Sequence, residues 1–215
     1  GKTCYHGTDM LNATALRQRL RSAVERLREL CPEIPMLIYI HSSINTDEDS
    51  PGAYPNARVM TQGGEQYINP SYTQRIGVPF YYFYMTPENG YLEAMKRVVD
   101  MCVDEDKLNA HGCYWDEMAM LSVPHTYDRW DGYSVEIDGR GEVGRKFAYV
   151  QLISLQAKRE LAEYILDRGM LIGNSAPMSK TMTQLHFPRF AETASGWYPA
   201  RTHLYAPISL GDHLT

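Results

Sequence analysis

The stretch His111-Gly112-Cys113-Tyr114-Trp115-Asp116-Glu117-Met118 climbs from small and apolar residues through two large aromatics and stops on two carboxylates. A strand that crosses a core and delivers an acid at its C-terminal rim reads this way, and so does a surface strand that ends in solvated acids. Side chains alternate along a strand, so Gly112, Tyr114 and Asp116 share one face while Cys113, Trp115 and Glu117 share the other. The first face tapers from small to polar toward the rim, and the Cys-x-Trp face suits packing under helices. Asp116 is therefore expected to point inward at the C-terminal mouth of a barrel, with Glu117 opening the next loop and swinging over the same mouth. The competing reading is that Asp116 only caps the following turn.

Upstream, Leu16, Leu20, Ala23, Leu27 and Leu30 recur at helical spacing with arginines elsewhere on the wheel, which predicts an amphipathic helix over residues 13–30. Pro32 and Pro35 break it, and Met36-Leu37-Ile38-Tyr39-Ile40 is an apolar run of strand length that ends at His41. Residues 45–77 turn polar without a clear period and read as a long functional loop. Residues 78–85 read as a second apolar strand, and Thr86-Pro87-Glu88-Asn89 as the start of a helix with Leu92, Met95, Val98, Val99 and Cys102 inward. A polar loop over 119–146, a helix over 147–168 stopped by Gly169, and a short strand over 170–174 follow, with weaker strands at 190–193 and 203–206. Strands alternating with helices predict an α/β fold with a parallel sheet covered by helices. A closed eight-fold barrel takes eight strands and roughly 250 residues. The expectation is a single domain over residues 1–215: a (β/α)8 TIM-like barrel, incomplete in this chain with about six βα units, and a fragment of a longer protein.

The net charge of -5 is small for 215 residues and the basic residues are dispersed, so no stripe suits a phosphate backbone and nucleic acid is excluded as a partner. No stretch reaches the roughly 18 apolar residues of a membrane span. Sixteen Tyr against five Phe favour surfaces with an apolar face and a polar tip, which suits sugar-like ligands and equally a polar-rimmed core. Cys4, Cys31, Cys102 and Cys113 lack zinc spacing; one or two disulfides are compatible with them, and spacing does not choose. The start at Gly1-Lys2-Thr3 suggests an upstream portion processed off or left out, and Asn12-Ala13-Thr14 is a glycosylation sequon. An extracellular or secreted location is expected.

Glycoside hydrolysis needs two carboxyl groups, one to protonate the leaving oxygen and one to attack or to activate water. Glu192, between apolar residues and Ala194-Ser195-Gly196, is the best placed second acid, against the reading of an exposed helix residue. His41, Tyr84 and Asn174 fall at strand ends and are candidate partners for sugar hydroxyls, although a lone His there is more often structural. Gly139-Arg140-Gly141-Glu142-Val143-Gly144 matches a dinucleotide fingerprint, but residues 134–138 alternate as a half-exposed hairpin does, and a turn at Asp138-Gly139 explains the glycines more simply. The seven His are scattered singly, with no paired metal ligands and no Gly-x-Ser-x-Gly elbow.

Five motifs carry a family likeness: Gly112-Cys113-Tyr114-Trp115-Asp116-Glu117; Trp130-Asp131-Gly132 leading into Ile137-Asp138; Gly173-Asn174; His186-Phe187-Pro188-Arg189-Phe190 with Glu192-Thr193; and Pro207-Ile208-Ser209-Leu210-Gly211-Asp212-His213. On these, residues 36–215 resemble a group of poorly characterised glycoside hydrolase-like (β/α)-barrel proteins. The resemblance implies a barrel that continues beyond Thr215 and a carbohydrate-active protein, without supplying a substrate or catalytic residues. The functional expectation is a glycoside hydrolase-like protein that cleaves a polysaccharide or glycan, with Asp116 as nucleophile or base, Glu192 as general acid and Glu117 in reserve. Tyr84, Tyr114, Trp115 and Trp130 would stack on or line the sugar site, His41, Asp131 and Asn174 would bind hydroxyls, and neither cofactor nor metal is called for. The alternative is a non-catalytic extracellular structural or carbohydrate-binding protein that keeps the barrel. In either case uncovered strand edges call for the remainder of the chain or a neighbouring subunit.

Overall fold

A computed structural model describes residues 2, 4–118, 123–175 and 179–190. After a 3-10 turn at Gly7–Leu11, the periodic segment forms α1 (Thr14–Leu30), steadied on its surface by an Arg21–Glu25 ion pair one turn apart. The apolar run after Pro35 forms β1 (Leu37–His41), and β2 (Ile44–Asn45) follows at once. The polar segment then holds α2 (Ser50–Ala53), a 3-10 turn at Pro55–Ala57 and α3 (Pro70–Ile76). Asn69 caps α3 by accepting from the Tyr72 amide, and Gly77 closes it in the left-handed conformation. Next come β3 (Tyr81–Tyr82), α4 (Tyr91–Val103) and β4 (Gly112–Asp116). The remaining elements are β5 (His125–Thr126), β6 (Val135–Ile137), β7 (Val143–Lys146), β8 (Ala148–Tyr149), α5 (Val150–Leu166), β9 (Met170–Asn174), α6 (Lys180–Thr183) and β10 (Arg189–Phe190).

Among the described residues the main sheet has the order β1-β4-β9-β10, all parallel, with β1, β4 and β9 five residues long. Ile38 and Ile40 of β1, Cys113 and Trp115 of β4, and Leu171 of β9 form its buried face. They pack with Leu92, Met95, Val98 and Val99 of α4 and with Ala157, Leu161 and Ile165 of α5 in one hydrophobic core. The opposite face is less covered: Tyr39 and Met170 are exposed, and Tyr114, Asp116 and Ile172 partly so.

This overturns the barrel expectation. In a barrel each strand pairs with the next one along the chain, so residues 78–85 would lie between β1 and β4. Instead β1 pairs directly with β4 over its whole length, from Leu37 opposite Gly112 to His41 opposite Asp116. Only Tyr81–Tyr82 of the expected second strand is regular, and it pairs antiparallel with β2 in a separate ribbon. Its backbone groups are used up elsewhere: Tyr82 exchanges with Val59 and Tyr67, Phe83 donates to Ser43 and Tyr84 donates to Ala57. A segment whose donors are already committed to the 57–67 insertion cannot join the parallel ladder. The fold is thus mixed α/β, a small open parallel sheet with three antiparallel ribbons, β2-β3, β5-β8 and β6-β7.

Two boundaries also move. The Asn89 side chain accepts from the Thr86 and Tyr91 amides and donates to the Tyr84 carbonyl, so residues 86–89 are a turn and α4 starts only at Tyr91, after Gly90 with φ 75°. Residues 148–149 pair with β5, which delays α5 to Val150. The fingerprint-like glycines lie in the β6-β7 hairpin, where Asp138 accepts from the Arg140 and Glu142 amides and Gly141 takes φ 82°. All four cysteines are free thiols. The strand expected at 203–206 lies outside the described residues. Among the described residues no helix is long and apolar enough to cross a membrane.

The sheet closes tightly at its N-terminal edge, because a Cβ at Gly112 would stand 1.9 Å from the Met170 carbonyl oxygen and could not be relieved by a side-chain movement. Gly112→Ala is expected to part β4 from β9 and lower unfolding free energy by about 3 kcal/mol. Urea denaturation of the two proteins measures this, and a loss below about 1 kcal/mol would contradict so close an approach.

Candidate functional site at the strand ends

β1, β4 and β9 end together, and the last residues on the sheet face turned away from the helices are His41, Asp116 and Asn174. The Asp116 carboxylate collects three donors: the Tyr39 hydroxyl at 2.9 Å, the Asn174 amide nitrogen at 2.5 Å and the Tyr114 hydroxyl at 3.4 Å. Tyr39 and Tyr114 are cross-strand partners, and their rings lie 5.9 Å apart at 37° on the less covered face. Burial around the Tyr39 phenol, and then the charge and hydrogen bond of Asp116, push its ionisation upward, so it remains a donor to the carboxylate.

Immediately after β4 and β9 the chain turns through left-handed residues, Glu117 with φ 44° and Ser175 with φ 52°, and the Met118 amide donates to the Asn174 carbonyl at 2.9 Å. A non-glycine residue in that region is strained and is held there by its surroundings. The turn brings Glu117 back onto the Asp116 side, where its Oε2 meets His41 Nε2 at 3.3 Å. His41 is buried, and its Nδ1 accepts from the backbone amides of Ser43 at 3.2 Å and Ile44 at 3.1 Å. Those two donors leave Nδ1 without a hydrogen, which places the ring hydrogen on Nε2 facing Glu117.

The N-terminal segment supplies a wall. The His6 ring lies 5.7 Å from that of His41, 5.6 Å from Tyr39 edge-on and 5.4 Å from Phe80. Burial first, and the neighbouring His41 second, lower the His6 pKa to about 4 against the opposing pull of Asp116. Cys4 Sγ sits 3.2 Å from His6 Nδ1, and burial pushes this thiol up. Both shifts favour the neutral forms, so the pair is not an activated thiolate beside an imidazolium.

The structure gathers Asp116, Glu117, His41, Tyr114 and Asn174, and leaves the other sequence candidates elsewhere. Trp115 is fully buried on the helix side of the sheet, with its indole N–H on Ser42 at 3.0 Å, so it is a core residue and cannot line a sugar site. Tyr84 is buried in the second core with Ile44, Val59 and Phe80, its hydroxyl on Asn56 and Asp128 and Arg129 over its ring. Asp131 is engaged at the base of the hairpin by the amides of Tyr133, Ser134 and Tyr149. Burial opposes its ionisation, but those bonds outweigh it and hold the carboxyl well below the usual range. Trp130 donates to the Ser134 carbonyl and carries Lys146 4.1 Å from its ring, so Trp130 and Asp131 stabilise the hairpin. Glu192 lies outside the described residues.

Sequence reasoning missed Tyr39 and His6. Tyr39 stands two residues before His41 and so on the same strand face, a signal that alternation alone carried. His6 is brought in from far along the chain and had no local signal. Among the described residues no three His, Cys, Asp or Glu side chains gather as a metal-ligand set.

No family model, no curated protein and no solved structure matches the chain.

The His6 environment has a readout in solution. Its depressed pKa makes the folded state take up its proton later than the unfolded chain, so this contribution to stability is complete above pH about 6.5 and is lost as pH falls toward about 4. Imidazole carbon resonances followed from pH 8 to 3 should show one histidine titrating near 4, absent in His6→Gln. A His6 midpoint near 6.5 would mean that the pocket around it is open to water.

Proposed function

We propose that the protein is a glycan-acting hydrolase that cleaves glycosidic bonds with two carboxyl groups, Asp116 and a partner acid at the same rim. The observation that carries the reading is the Asp116 carboxylate fixed by Tyr39, Tyr114 and Asn174 at the strand ends of a partly open aromatic face. Ligands of open α/β sheets enter at the carboxyl ends of the strands, and tyrosine rings offer a flat apolar surface on which a sugar ring can lie. Asp116 accepts from each of these three groups, the bonding pattern of a nucleophile or base. Glu117, 34% exposed with its Oε2 on His41, stands at the same rim and is one candidate for the partner acid. Glu192 is the other candidate for that acid. A carbohydrate substrate and a secreted site of action belong to the same proposal.

The two insertions that follow β1 and β4 lean on each other through polar groups. Gln62 bonds Tyr127 and Glu136, the Tyr127 amide donates to Met60, and the Met60 amide donates to Thr126.

Hydrolysis of a polysaccharide panel by the protein and by Asp116→Asn, Glu117→Gln and Glu192→Gln tests the proposal. Asp116→Asn is expected to lower kcat about a thousandfold with native folding, and the true acid variant to recover on substrates with an activated leaving group. The separation of the two essential carboxyls then sets the outcome, about 5 Å for retention and roughly 6.5–9.5 Å for inversion. Turnover indifferent to Asp116→Asn would sink this assignment, whereas glycan binding without turnover on any substrate would leave a sugar-binding protein.

A further inference from the structure

On α5, Ser154, Lys158, Leu161 and Ile165 follow one another by four, three and four residues, so Lys158 stands on the stripe that packs into the core with the helix-facing side of the sheet. It is buried, and its hydrogen-bond partner among the described residues is Gln151 Oε1 at 2.5 Å, with no carboxylate paired to it among them. Two further groups on the same side of the helix are short of partners: Ser154 Oγ and Gln151 Nε2 are both buried and unbonded among the described residues. The cluster therefore holds an amine, a hydroxyl and an amide N–H2, and the described residues offer no acceptor to two of them. Unmet buried donors are costly, and a core keeps them only when something satisfies them.

We propose that Lys158 is a site of reversible carbamylation by carbon dioxide, with Ser154 and Gln151 as the donors that receive the new carboxylate oxygens. The amine nitrogen attacks the carbon of CO2, an N–C bond forms, one C=O electron pair moves onto oxygen, and an N–H proton leaves to solvent: neutral amine plus CO2 gives a carbamate anion plus a proton. The remaining N–H keeps its bond to Gln151 Oε1. Both oxygens then find the hydroxyl of Ser154 and Nε2 of Gln151, and each unmet donor gains an acceptor. Carbon dioxide is small and uncharged, so it reaches a packed helix face that excludes sugars, aldehydes and anions.

Burial alone pushes the Lys158 amine down to about 7. The reactive free base is then a far larger fraction of Lys158 at pH 8 than of an ordinary lysine. This chemistry lies on the helix side of the sheet and is independent of the glycan-hydrolase reading.

Carbon NMR of the protein equilibrated with 13C-bicarbonate at pH 8 tests the proposal. A carbamate resonance is expected that is absent in Lys158→Met, reduced several-fold in Ser154→Ala, and lost as the pH is taken to 6. Lys158→Met replaces a buried amine by an apolar chain of similar length and is expected to fold at least as stably, which near-UV circular dichroism checks. Wild-type and Lys158→Met spectra without a difference would overturn the assignment. Should Lys158→Met fail to fold, Ser154→Ala combined with Gln151→Leu decides, since a carbamate signal of undiminished intensity there would equally overturn it.

Discussion

The five-residue parallel ladder between β1 and β4 is the constraint on which the rest of the molecule hangs. By pairing Leu37 with Gly112 and His41 with Asp116 it sets Tyr39 beside Tyr114 and stacks the polar strand ends at one rim. The same ladder occupies the edge that an intervening strand would need. Residues 78–85 are therefore displaced into the antiparallel ribbon with β2, and the sheet stays open rather than curling toward closure. Gly112 is required because the Met170 backbone passes where a side chain would begin, which lets β9 dock close enough for Asn174 to reach Asp116.

The N-terminal segment is locked onto that rim by buried polar bonds. Thr46 donates to Asp9 at 2.6 Å and accepts from the His6 amide at 2.8 Å, Lys2 pairs with Asp9 at 2.5 Å, and Asn45 donates to Thr8 at 2.6 Å. Gly7 takes φ 61° in the middle of this network, where a Cβ would meet the Ile44 carbonyl at 2.7 Å. A charge and several hydroxyls are thereby satisfied inside the protein, and the consequence is positional: His6 is pinned against His41 and Tyr39.

Neutral groups surround the acids. Asp116 is held by two phenols and an amide, Glu117 by an imidazole whose hydrogen is directed by backbone amides, and the nearby His6 is kept uncharged by burial. Neutral donors orient a carboxylate without cancelling its charge, which leaves its chemistry available to a ligand, whereas an arginine or lysine partner would have consumed it. Lys158 follows the same habit on the other face of the sheet, a buried amine with an uncharged partner.

Local pattern alone determined the amphipathic α1, the apolar runs of β1, β4 and β9, the inner face of α4, the helix of α5 and the hairpin turn at Asp138. Each follows from side-chain period or turn chemistry within a few residues. Alternation along Gly112-Cys113-Tyr114-Trp115-Asp116 likewise put Asp116 and Trp115 on opposite faces, and the arrangement of the strand agrees. Strand order was beyond its reach, because an apolar run such as 78–85 reads the same in a parallel ladder and in an antiparallel ribbon. The choice depends on where its amides find acceptors, and those came from Ser43 and from the 57–67 insertion, which has no period of its own. Tyr84 and Trp115 show the same limit: an aromatic at a strand end is written alike for a ligand surface and for a core, and only the tertiary packing of the insertions and helices decided that both are interior.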